Sequence, residues 1–357
     1  MSIGLKSATR AVVLMNLGSP DSTSVGDVRK YLNEFLMDER VIDYPFLPRL
    51  LLVKGIITPF RASKSAHAYE SIWTEEGSPL IVLTKELMLA LDRELDIPVT
   101  IAMRYGTPSP KEAFDEITQN YPSVKEVILL PLYPHYAMSS YETAVEYAKT
   151  IHAKENYGFK LEVIKPFYNN ELYIHALKES IKPYLADGYD HILFSYHGIP
   201  ERHIIKGDVT HNHCLQSADC CTTPSPAHRQ CYRHQCFMTT KLVTKELDIP
   251  EARHSVSFQS RLGRSEWLKP YTAQMLQDLP SRGVKKLVVV CPAFISDCLE
   301  TLEEIAVEGR DIFLKAGGES FTMVPCLNVH PLWVKTISKW MDEINEGHKK
   351  MLLQPYV

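Results

Sequence analysis

The sequence lacks a long apolar run, a strong excess of either charge, and a glycine- or serine-rich linker. A membrane-spanning helix needs about 20 apolar residues, and no segment approaches that length, so we expect no membrane span. The formal net charge of −4 gives no indication of a nucleic-acid partner. No small-residue cleavage site follows the N-terminal apolar stretch, which we interpret as a first strand and not a signal peptide. We expect a cytoplasmic globular protein.

Several nucleotide-binding and hydrolase motifs are also missing. No G-x-G-x-x-G follows the first predicted strand, and no G-x-x-x-x-G-K-[ST] occurs anywhere. The glycine-rich phosphate-binding loops of nicotinamide and ATP enzymes are therefore absent. No G-x-S-x-G occurs either, so a serine hydrolase is not expected.

The sequence does contain a regular alternation of strand-like and helix-like segments. Strands are predicted at 11–17, 99–104, 125–132, 160–166, 190–196, 254–258 and 285–291. Amphipathic patterns predict helices that include 139–153, 170–186, 236–247, 297–315 and 331–345. This alternation is typical of an α/β fold whose parallel sheets carry helices on both faces. We expect two similar halves, as domains 1–155 and 156–345.

Polar, aromatic, glycine and proline residues follow most of the predicted strands. Ligands of open parallel sheets bind beyond the carboxyl ends of the strands. We therefore expect these strand exits to line a single cleft between the two halves. The segments concerned are NLGSP, RYGTPSP, PLYPHYAMSS, SYHGIPERH and CPAFISDCLE.

His197 directly follows the apolar run HILFSY, which places it at the carboxyl end of a strand. An isolated histidine is more commonly structural, but this position and the adjacent Gly198 favour a functional role. Histidine titrates near neutral pH and binds borderline divalent metals. His197 could therefore bind a metal ion or accept a proton from a substrate nitrogen.

The run DCLETLEEIAVE carries Glu300, Glu304 and Glu308 at intervals of four, on one face of a predicted helix. Asp297 lies one turn earlier. A solvated acidic face is the common explanation for such a pattern. Here the helix begins just after a strand, so its first turn would point into the cleft, and no Lys or Arg relieves the like charges. We interpret the carboxylates as a relay for cations or protons.

Aromatic and basic side chains are frequent in the same segments. A planar aromatic ligand would pack well against such walls, although core packing explains any single ring equally well. Arginine and lysine could bind the carboxylates of that ligand. The candidates are Tyr69, Tyr105, Tyr133, Tyr136, Trp267, Phe294, Arg61, Lys64, Arg104 and Arg261.

Five of the eight cysteines lie in one short segment. In a reducing compartment, this crowding indicates metal or redox chemistry before disulfides. The five are Cys214, Cys220, Cys221, Cys231 and Cys236.

Taken in order, these segments resemble the ferrochelatase family and are most similar to its Gram-negative bacterial members. The matching segments cover roughly residues 10–330 and include NLGSP, FLMDERVID, MRYGTP, LPLYPHYA, SYHGIPERH, SFQSRLGRSEWLKPYT and CPAFISDCLETLEEI. The resemblance implies two similar Rossmann-like, doubly wound α/β domains with parallel four-stranded sheets around a porphyrin cleft. It also implies a lyase that inserts Fe²⁺ into protoporphyrin IX and releases two protons, the terminal step of haem biosynthesis.

The resemblance also implies roles for individual residues. His197 and Glu300 would form the inner pair that takes iron or the pyrrole protons, and which of them binds the metal stays open. Glu304 and Glu308 would continue the relay toward the surface, with Asp297 beside it. The implied porphyrin contacts are Arg61, Tyr69, Ser78, Tyr105 and Trp267.

Compared with common family members, the chain carries an insertion at 209–231 that brings four cysteines. It resembles the segment that binds a 2Fe–2S cluster in one class of bacterial ferrochelatases. The resemblance implies such a cluster on four of the five clustered cysteines, with Cys236 as a possible substitute for one of the adjacent pair Cys220 and Cys221. Thiolates suit both iron–sulfur clusters and zinc. A zinc site that uses His211, His213 or His228 is the alternative.

Two other functions stay open. A cobalt or nickel chelatase acting on sirohydrochlorin would share the fold, although such chains tend to lack the SFQSRLGRSEW segment. A non-catalytic haem or iron sensor is the other, although the intact His197 and Glu300 argue against it. The apolar stretch 44–60 could close over substrate or rest on the inner membrane as a peripheral contact, where a hydrophobic porphyrin would be collected.

Overall fold

The structure is a computed structural model that describes residues 8–263 and 265–354. The chain folds as two compact units. The first unit contains the described chain up to Tyr133, residues Met138–Lys165 and the described chain from Val334 onward. The second contains Pro134–Ala137 and Pro166–Trp333. Compactness does not show which segments fold independently, so the domain limits 1–155 and 156–345 stay a prediction.

Each unit contains one parallel four-stranded sheet. The first sheet has the order β2–β1–β3–β4 and the second the order β6–β5–β7–β8, so the same arrangement occurs twice. The predicted α/β class with two similar parallel sheets is therefore confirmed. The strands are β1 Arg10–Gly18, β2 Val99–Tyr105, β3 Glu126–Pro131, β4 Lys160–Val163, β5 His191–His197, β6 His254–Gln259, β7 Lys286–Val290 and β8 Ser320–Met323.

The helices fall between the strands and cover the sheets. They are α1 Val25–Leu36, α2 Phe46–Leu50, α3 Thr58–Ile72, α4 Pro79–Glu94, α5 Pro110–Asn120, α6 Thr143–Lys154, α7 Glu171–Ile181, α8 Glu201–Lys206, α9 Tyr232–Glu246, α10 Thr272–Asp278, α11 Leu299–Leu302, α12 Arg310–Lys315 and α13 Pro331–Asn345. Three segments are π-helical: Leu51–Ile57, Met138–Glu142 and Glu304–Gly309. No helix in the described part of the chain is both long and apolar enough to cross a membrane.

The central strands are almost completely buried. Residues 11–15 of β1 and 127–130 of β3 are inaccessible to solvent, as expected for parallel strands covered on both faces. A polar residue starts the helix that follows β2. The Ser109 hydroxyl accepts the main-chain N–H of Glu112, whose carboxylate accepts the N–H of Ser109, and this capping box starts α5.

Gly18 ends β1 where the main chain of β2 approaches closely. A Cβ at this position would lie 1.8 Å from the carbonyl oxygen of Tyr105, and the φ angle of Gly18 is +102°. Gly77 has a similar φ of +116°, but no atom lies within 4 Å of its ideal Cβ. An alanine at Gly77 would therefore cause backbone strain alone, whereas an alanine at Gly18 would cause both backbone strain and a steric clash.

We expect Gly18→Ala to lower the free energy of unfolding by at least ~3 kcal/mol, since it adds a main-chain clash to a strained backbone. Gly77→Ala carries only the left-handed backbone penalty of about 1–2 kcal/mol. Urea unfolding followed by circular dichroism measures both. Equal losses of stability in the two variants would show that the contact with Tyr105 has no energetic importance.

Candidate active site

The second sheet brings the main predicted residues together at the carboxyl ends of its strands. His197 is the last residue of β5 and pairs in parallel register with Gln259, the last residue of β6. The loop after β7 leads into α11, whose second residue is Glu300. The Gln259 amide donates a hydrogen bond to the main-chain oxygen of Glu300 at 2.7 Å. Three strand exits therefore meet at this edge.

The imidazole of His197 is half-buried and has a defined orientation. Its Nδ1 lies 2.6 Å from the carbonyl oxygen of Gly198. A carbonyl oxygen only accepts, so Nδ1 carries the hydrogen and Nε2 of the neutral ring keeps a lone pair. Nε2 is therefore the atom that can bind a metal or take a proton.

Glycine is required at position 198 because other main-chain and ring atoms approach it. A Cβ there would lie 2.6 Å from the carbonyl oxygen of Gln259 and 3.2 Å from the ring of Trp267. The predicted porphyrin contact Trp267 is buried and packs against the turn next to His197. On the other side, the ring of Phe294 is centred 6.2 Å from the imidazole.

Glu304 is held by hydrogen bonds from the residue that follows β6. Its carboxylate accepts the Ser260 N–H at 2.7 Å and also the Ser260 hydroxyl. Burial raises the pKa of Glu304 above its ordinary value; the Ser260 hydrogen bonds and the charge of His197 oppose this increase, and the charge of Glu300 adds to it. His197 and Glu300 are thus close enough to Glu304 to act on its carboxyl group.

The acidic segment is not one regular α-helix. The prediction of a helix over 297–315 was wrong at Glu304–Gly309, which is π-helical and separates α11 from α12. A π-helical turn holds more than four residues, so an interval of four no longer places carboxylates directly above one another. Glu300 and Glu304 are half-buried, whereas Glu308 is exposed. The relay through these three carboxylates stays a prediction.

Asp297 lies in a network of hydrogen bonds before α11. One carboxylate oxygen accepts the Thr301 hydroxyl at 2.8 Å, and the other accepts the Asn328 side-chain amide at 2.7 Å. The main-chain N–H of Cys326 also donates to it, at 3.2 Å. These contacts join the loop after β7 to the segment after β8. They hold the start of α11 in place. Participation of Asp297 in the proton or cation relay stays a prediction.

Four of the predicted porphyrin contacts belong to the first unit. Arg61 and Tyr69 lie on α3, where Arg61 is exposed and Tyr69 buried. Ser78 is buried immediately before α4. Tyr105 ends β2 in the core of the unit, and its hydroxyl donates to the carboxylate of Asp38 at 2.9 Å.

The five clustered cysteines are buried and form no disulfide. The sulfur atoms of Cys220 and Cys221 are 4.0 Å apart. The Cys214 thiol and burial raise the pKa of Cys231 to about 12, and the Cys221 thiol opposes this increase. The four inserted thiols therefore lie near one another. Burial and the nearby thiol of Cys236 raise the pKa of Tyr232.

Three histidines hold the main chain of the adjacent cysteines. His213 Nε2 and His228 Nε2 lie 2.7 and 2.9 Å from the carbonyl oxygen of Cys220, and His234 Nδ1 lies 2.7 Å from that of Cys221. Because carbonyls only accept, each of these ring nitrogens donates. The imidazoles therefore fix main-chain carbonyls. In residues 8–263 and 265–354, no group of three or more His, Cys, Asp or Glu side chains is arranged to hold a single metal ion.

Charged side chains secure both ends of the inserted segment. The Asp208 carboxylate accepts the main-chain N–H groups of His213 and Cys214, each at 2.8 Å. At the other end, the Arg233 guanidinium lies 3.2 Å from the sulfur of Cys221 and 3.7 Å from that of Cys220. A positive donor therefore faces the two adjacent sulfur atoms.

Four residues at these sites were not predicted from the sequence: Gln259, Ser260, Tyr232 and Arg233. Gln259 and Ser260 belong to the segment SFQSRLGRSEWLKPYT, so a signal was present for these two. Nothing in the residue pattern indicated that Ser260 adopts a φ of +65°, which is uncommon for a residue with a side chain. This conformation brings both its N–H and its hydroxyl to Glu304.

Comparison with known sequences identifies the family. The sequence model of the Ferrochelatase family matches residues 9–344. A ferrochelatase of Opitutus terrae is 51% identical over 91% of this chain and 94% of its own length. Ferrochelatases of Pseudomonas entomophila and Pseudomonas putida are 49% and 48% identical, over 92% and 93% of this chain and 97% and 98% of their own lengths.

Solved chelatase structures share the fold. The cobalt complex of the sirohydrochlorin chelatase SirB from Bacillus subtilis subspecies spizizenii has a TM-score of 0.54 at 9% identity, and SirB from Bacillus subtilis with Fe³⁺ has 0.53 at 11%. Each match covers 97% of this chain and 100% of the other. At such low identity, these structural matches show only that the fold is shared. The family assignment rests on the sequence relatives. The chain therefore belongs to the ferrochelatase family of metal chelatases.

Proposed function

We propose that this metal chelatase inserts Fe²⁺ into protoporphyrin IX at the group formed by His197, Glu300 and Glu304, with formation of protohaem. One observation supports this assignment of the site. Gln259 pairs with His197 and donates to the main-chain oxygen of Glu300, and the next residue, Ser260, donates to the carboxylate of Glu304. These contacts lie at the sheet edge where open parallel sheets bind their ligands. Imidazole and carboxylate are suitable ligands for ferrous iron and suitable proton acceptors.

The reaction replaces two protons on the inner porphyrin nitrogens by one metal ion. A bent porphyrin exposes its nitrogen lone pairs to the incoming metal, so binding energy is used to distort the ring. His197 Nε2 and the carboxylate of Glu300 together supply the metal ligand and the first proton acceptor. Glu304 receives protons next, since burial favours its protonated form, and the exposed Glu308 passes them to solvent. Asp297 fixes the first turn of α11, from which Glu300 projects.

The porphyrin itself is proposed to contact five further residues. The exposed guanidinium of Arg61 suits a propionate, because arginine binds carboxylates in a bidentate geometry. The indole of Trp267 offers an apolar surface next to His197. Tyr69, Ser78 and Tyr105 complete the proposed set of contacts.

The segment 44–60 is proposed to collect the apolar porphyrin, as a peripheral contact with the cytoplasmic face of the inner membrane. Several of its large apolar side chains are turned outward, with Phe46 59%, Leu51 71% and Phe60 82% exposed, although Val53 is buried. Soluble proteins rarely expose a contiguous apolar patch without a binding role.

The inserted segment is proposed to bind a 2Fe–2S cluster through Cys214, Cys220, Cys221 and Cys231. Four cysteines, two at each iron, ligate such a cluster. The four inserted thiols are buried, the sulfur atoms of Cys220 and Cys221 are 4.0 Å apart, and the thiols of Cys214 and Cys221 both affect the pKa of Cys231. Arg233 donates toward two of the sulfur atoms, as groups around a thiolate-bound cluster commonly do. The cluster would stabilise a segment that has few apolar side chains of its own.

Zinc is less compatible with the positions of the histidines. The ring nitrogens of His213 and His228 that point into the segment are bonded to the Cys220 carbonyl, and His211 is exposed. A zinc site that uses one of these histidines would require a ring nitrogen that faces the thiols, whereas a site of four cysteines would need no histidine.

The central test is an anaerobic assay with Fe²⁺ and protoporphyrin IX. We expect His197→Ala and Glu300→Gln each to lower kcat by at least ~10²-fold, the scale for loss of an acid–base group. Glu308→Gln is the matched control, and it should retain most of the activity because water can replace an exposed carboxylate. Near-normal turnover by His197→Ala, or preference for sirohydrochlorin over protoporphyrin, would contradict the proposal.

Ser260→Ala tests the role of Glu304 through pH dependence. The Ser260 hydroxyl favours the charged carboxylate, so its loss should raise the pKa of Glu304 further. If the ionised carboxylate must accept a proton, the acidic limb of the kcat/KM profile will move to higher pH. Ser257→Ala is the control, since the Ser257 hydroxyl bonds to Thr272 at 2.8 Å in the same strand region. A profile that shifts equally in both variants would exclude a specific effect on Glu304.

The cluster proposal predicts a coloured protein before any porphyrin is added. Anaerobically purified chain should contain two irons and two acid-labile sulfides, with visible absorbance from charge transfer between sulfur and iron. Cys214→Ser should lose this absorbance, whereas Cys326→Ser, outside the segment, should keep it. A colourless protein with one zinc per chain would replace the cluster by a zinc site and leave the chelatase assignment unaffected.

A further inference from the structure

The first turn of α9 connects the Cys-rich segment to the strand exit that carries His197. Cys231 is the residue before α9, and its sulfur accepts the main-chain N–H of His234 at 3.5 Å. Tyr232 follows, and its hydroxyl donates to the main-chain oxygen of His197 at 2.9 Å. A proposed cluster ligand is therefore directly followed in sequence by a residue that contacts the proposed reactive histidine.

A second residue of this turn, Gln235, connects the inserted segment to the loop after β3. The side-chain oxygen of Gln235 accepts the main-chain N–H of Tyr136 at 2.7 Å, in the loop after β3. Its amide donates to the carbonyl oxygen of Arg229 at 2.9 Å, within the inserted segment. Tyr232 and Gln235 are three residues apart and lie on one face of the helix.

Both side chains are buried, with exposed fractions of 4% for Tyr232 and 0% for Gln235. Water therefore cannot replace these hydrogen bonds, and a broken bond leaves an unpaired polar group in the interior. The ring of Tyr232 also packs edge-on against that of His135, with centroids 5.9 Å apart. The hydroxyl is consequently held at a fixed position.

The contact with Tyr232 fixes one particular peptide group. The carbonyl between His197 and Gly198 accepts the Tyr232 hydroxyl, and the N–H of the same peptide donates to the Gln259 oxygen at 2.8 Å. With both polar atoms held, this peptide cannot rotate freely. The next carbonyl, that of Gly198, accepts Nδ1 of the imidazole. The direction of Nε2 therefore depends on this peptide plane.

We propose that Tyr232 is a positioning residue for His197, and that through it the folded state of the segment 214–231 sets the imidazole orientation. Thiol contacts or a bound cluster hold Cys231 and the first turn of α9. Loss of those contacts releases Tyr232, and the peptide after His197 becomes free to rotate. The part of this inference that concerns catalysis rests on the proposed function; the structural part does not.

Tyr232→Phe removes the hydroxyl and keeps the ring. We expect kcat to fall about 2- to 10-fold, the effect of one lost buried hydrogen bond, with KM for porphyrin and the iron and sulfide content unchanged. Tyr141→Phe is the matched control, because its hydroxyl donates to the carbonyl oxygen of Ile164 at 2.8 Å in the first unit. That variant should keep the normal kcat. An unchanged kcat for Tyr232→Phe would overturn the proposal.

A double-mutant cycle with Cys214→Ser tests the transmission. Cys214→Ser should lower kcat in the native background, but by less than about 2-fold when Tyr232 is already Phe, because both changes release the same peptide. If the two reductions in kcat multiply in the double variant, the segment 214–231 affects catalysis independently of Tyr232. If Cys214→Ser alone leaves kcat unchanged, the segment has no effect on His197.

Hydrogen exchange provides a readout that is independent of chelatase activity. The Gly198 amide should exchange faster in Cys214→Ser and in Tyr232→Phe, and no faster in the double variant than in either single one. The Tyr141→Phe control should exchange at the native rate. Slow, native-like exchange at Gly198 in both single variants would overturn the proposal. An inactive native protein that shows the expected exchange would instead contradict the proposed function.

Discussion

The parallel pairing of β5 with β6 continues one residue past His197, and the acidic site is built on this extension. The Gly198 N–H donates to the Gln259 oxygen at 2.8 Å, an approach that leaves no space for a side chain. The pairing holds Gln259 where its side-chain oxygen accepts the Ser195 hydroxyl at 2.7 Å and its amide reaches Glu300. One strand pair therefore fixes the histidine directly and the first acidic residue through a single side chain.

This arrangement gives two neighbouring carboxyl groups different environments. Gln259 donates to the main-chain oxygen of Glu300 and not to its carboxylate, the group for which we propose a role with substrate. The carboxylate of Glu304 is instead engaged by Ser260 and enclosed, and burial raises its pKa. A cation that arrives nearby favours the ionised form of such a group. Entry of the metal and departure of protons would thus be electrostatically linked in one short stretch of chain.

The sequence was sufficient to predict the parts of the structure that depend on local pattern. The strand before His197 is a continuous apolar run bounded by charged or polar residues, so its exit could be placed correctly. The short strand Ser320–Met323 was missed, because four residues with two hydroxyl side chains give little periodicity. The π-helical turn at Glu304 was missed for a different reason. The carboxylate spacing is compatible with either helix, and only the surrounding packing decides which hydrogen bonds form.

The contacts made by Ser260 and Tyr232 could not be predicted for a third reason. Ser260 binds Glu304 from 44 residues away, and Tyr232 binds His197 from 35 residues away. No local signal encodes such separations. The resemblance to a family supplied candidate residues for chemistry, but the residues that hold them in place emerge only when the strand exits are seen together.

The insertion shows how a segment without an apolar core can still be ordered. Asp208 binds the main chain at its start, and burial there is outweighed by the hydrogen bonds it accepts, so the pKa of Asp208 lies well below the usual range. Histidines fix the carbonyls in the middle, and α9 begins at its end. The thiol contacts join Cys214 near the start to Cys231 at the end, so a cluster there would close the whole segment as one loop. Closing a loop of this size contributes about 3 kcal/mol in the chain-entropy treatment of cross-links. That contribution would act on the same turn that holds the peptide after His197.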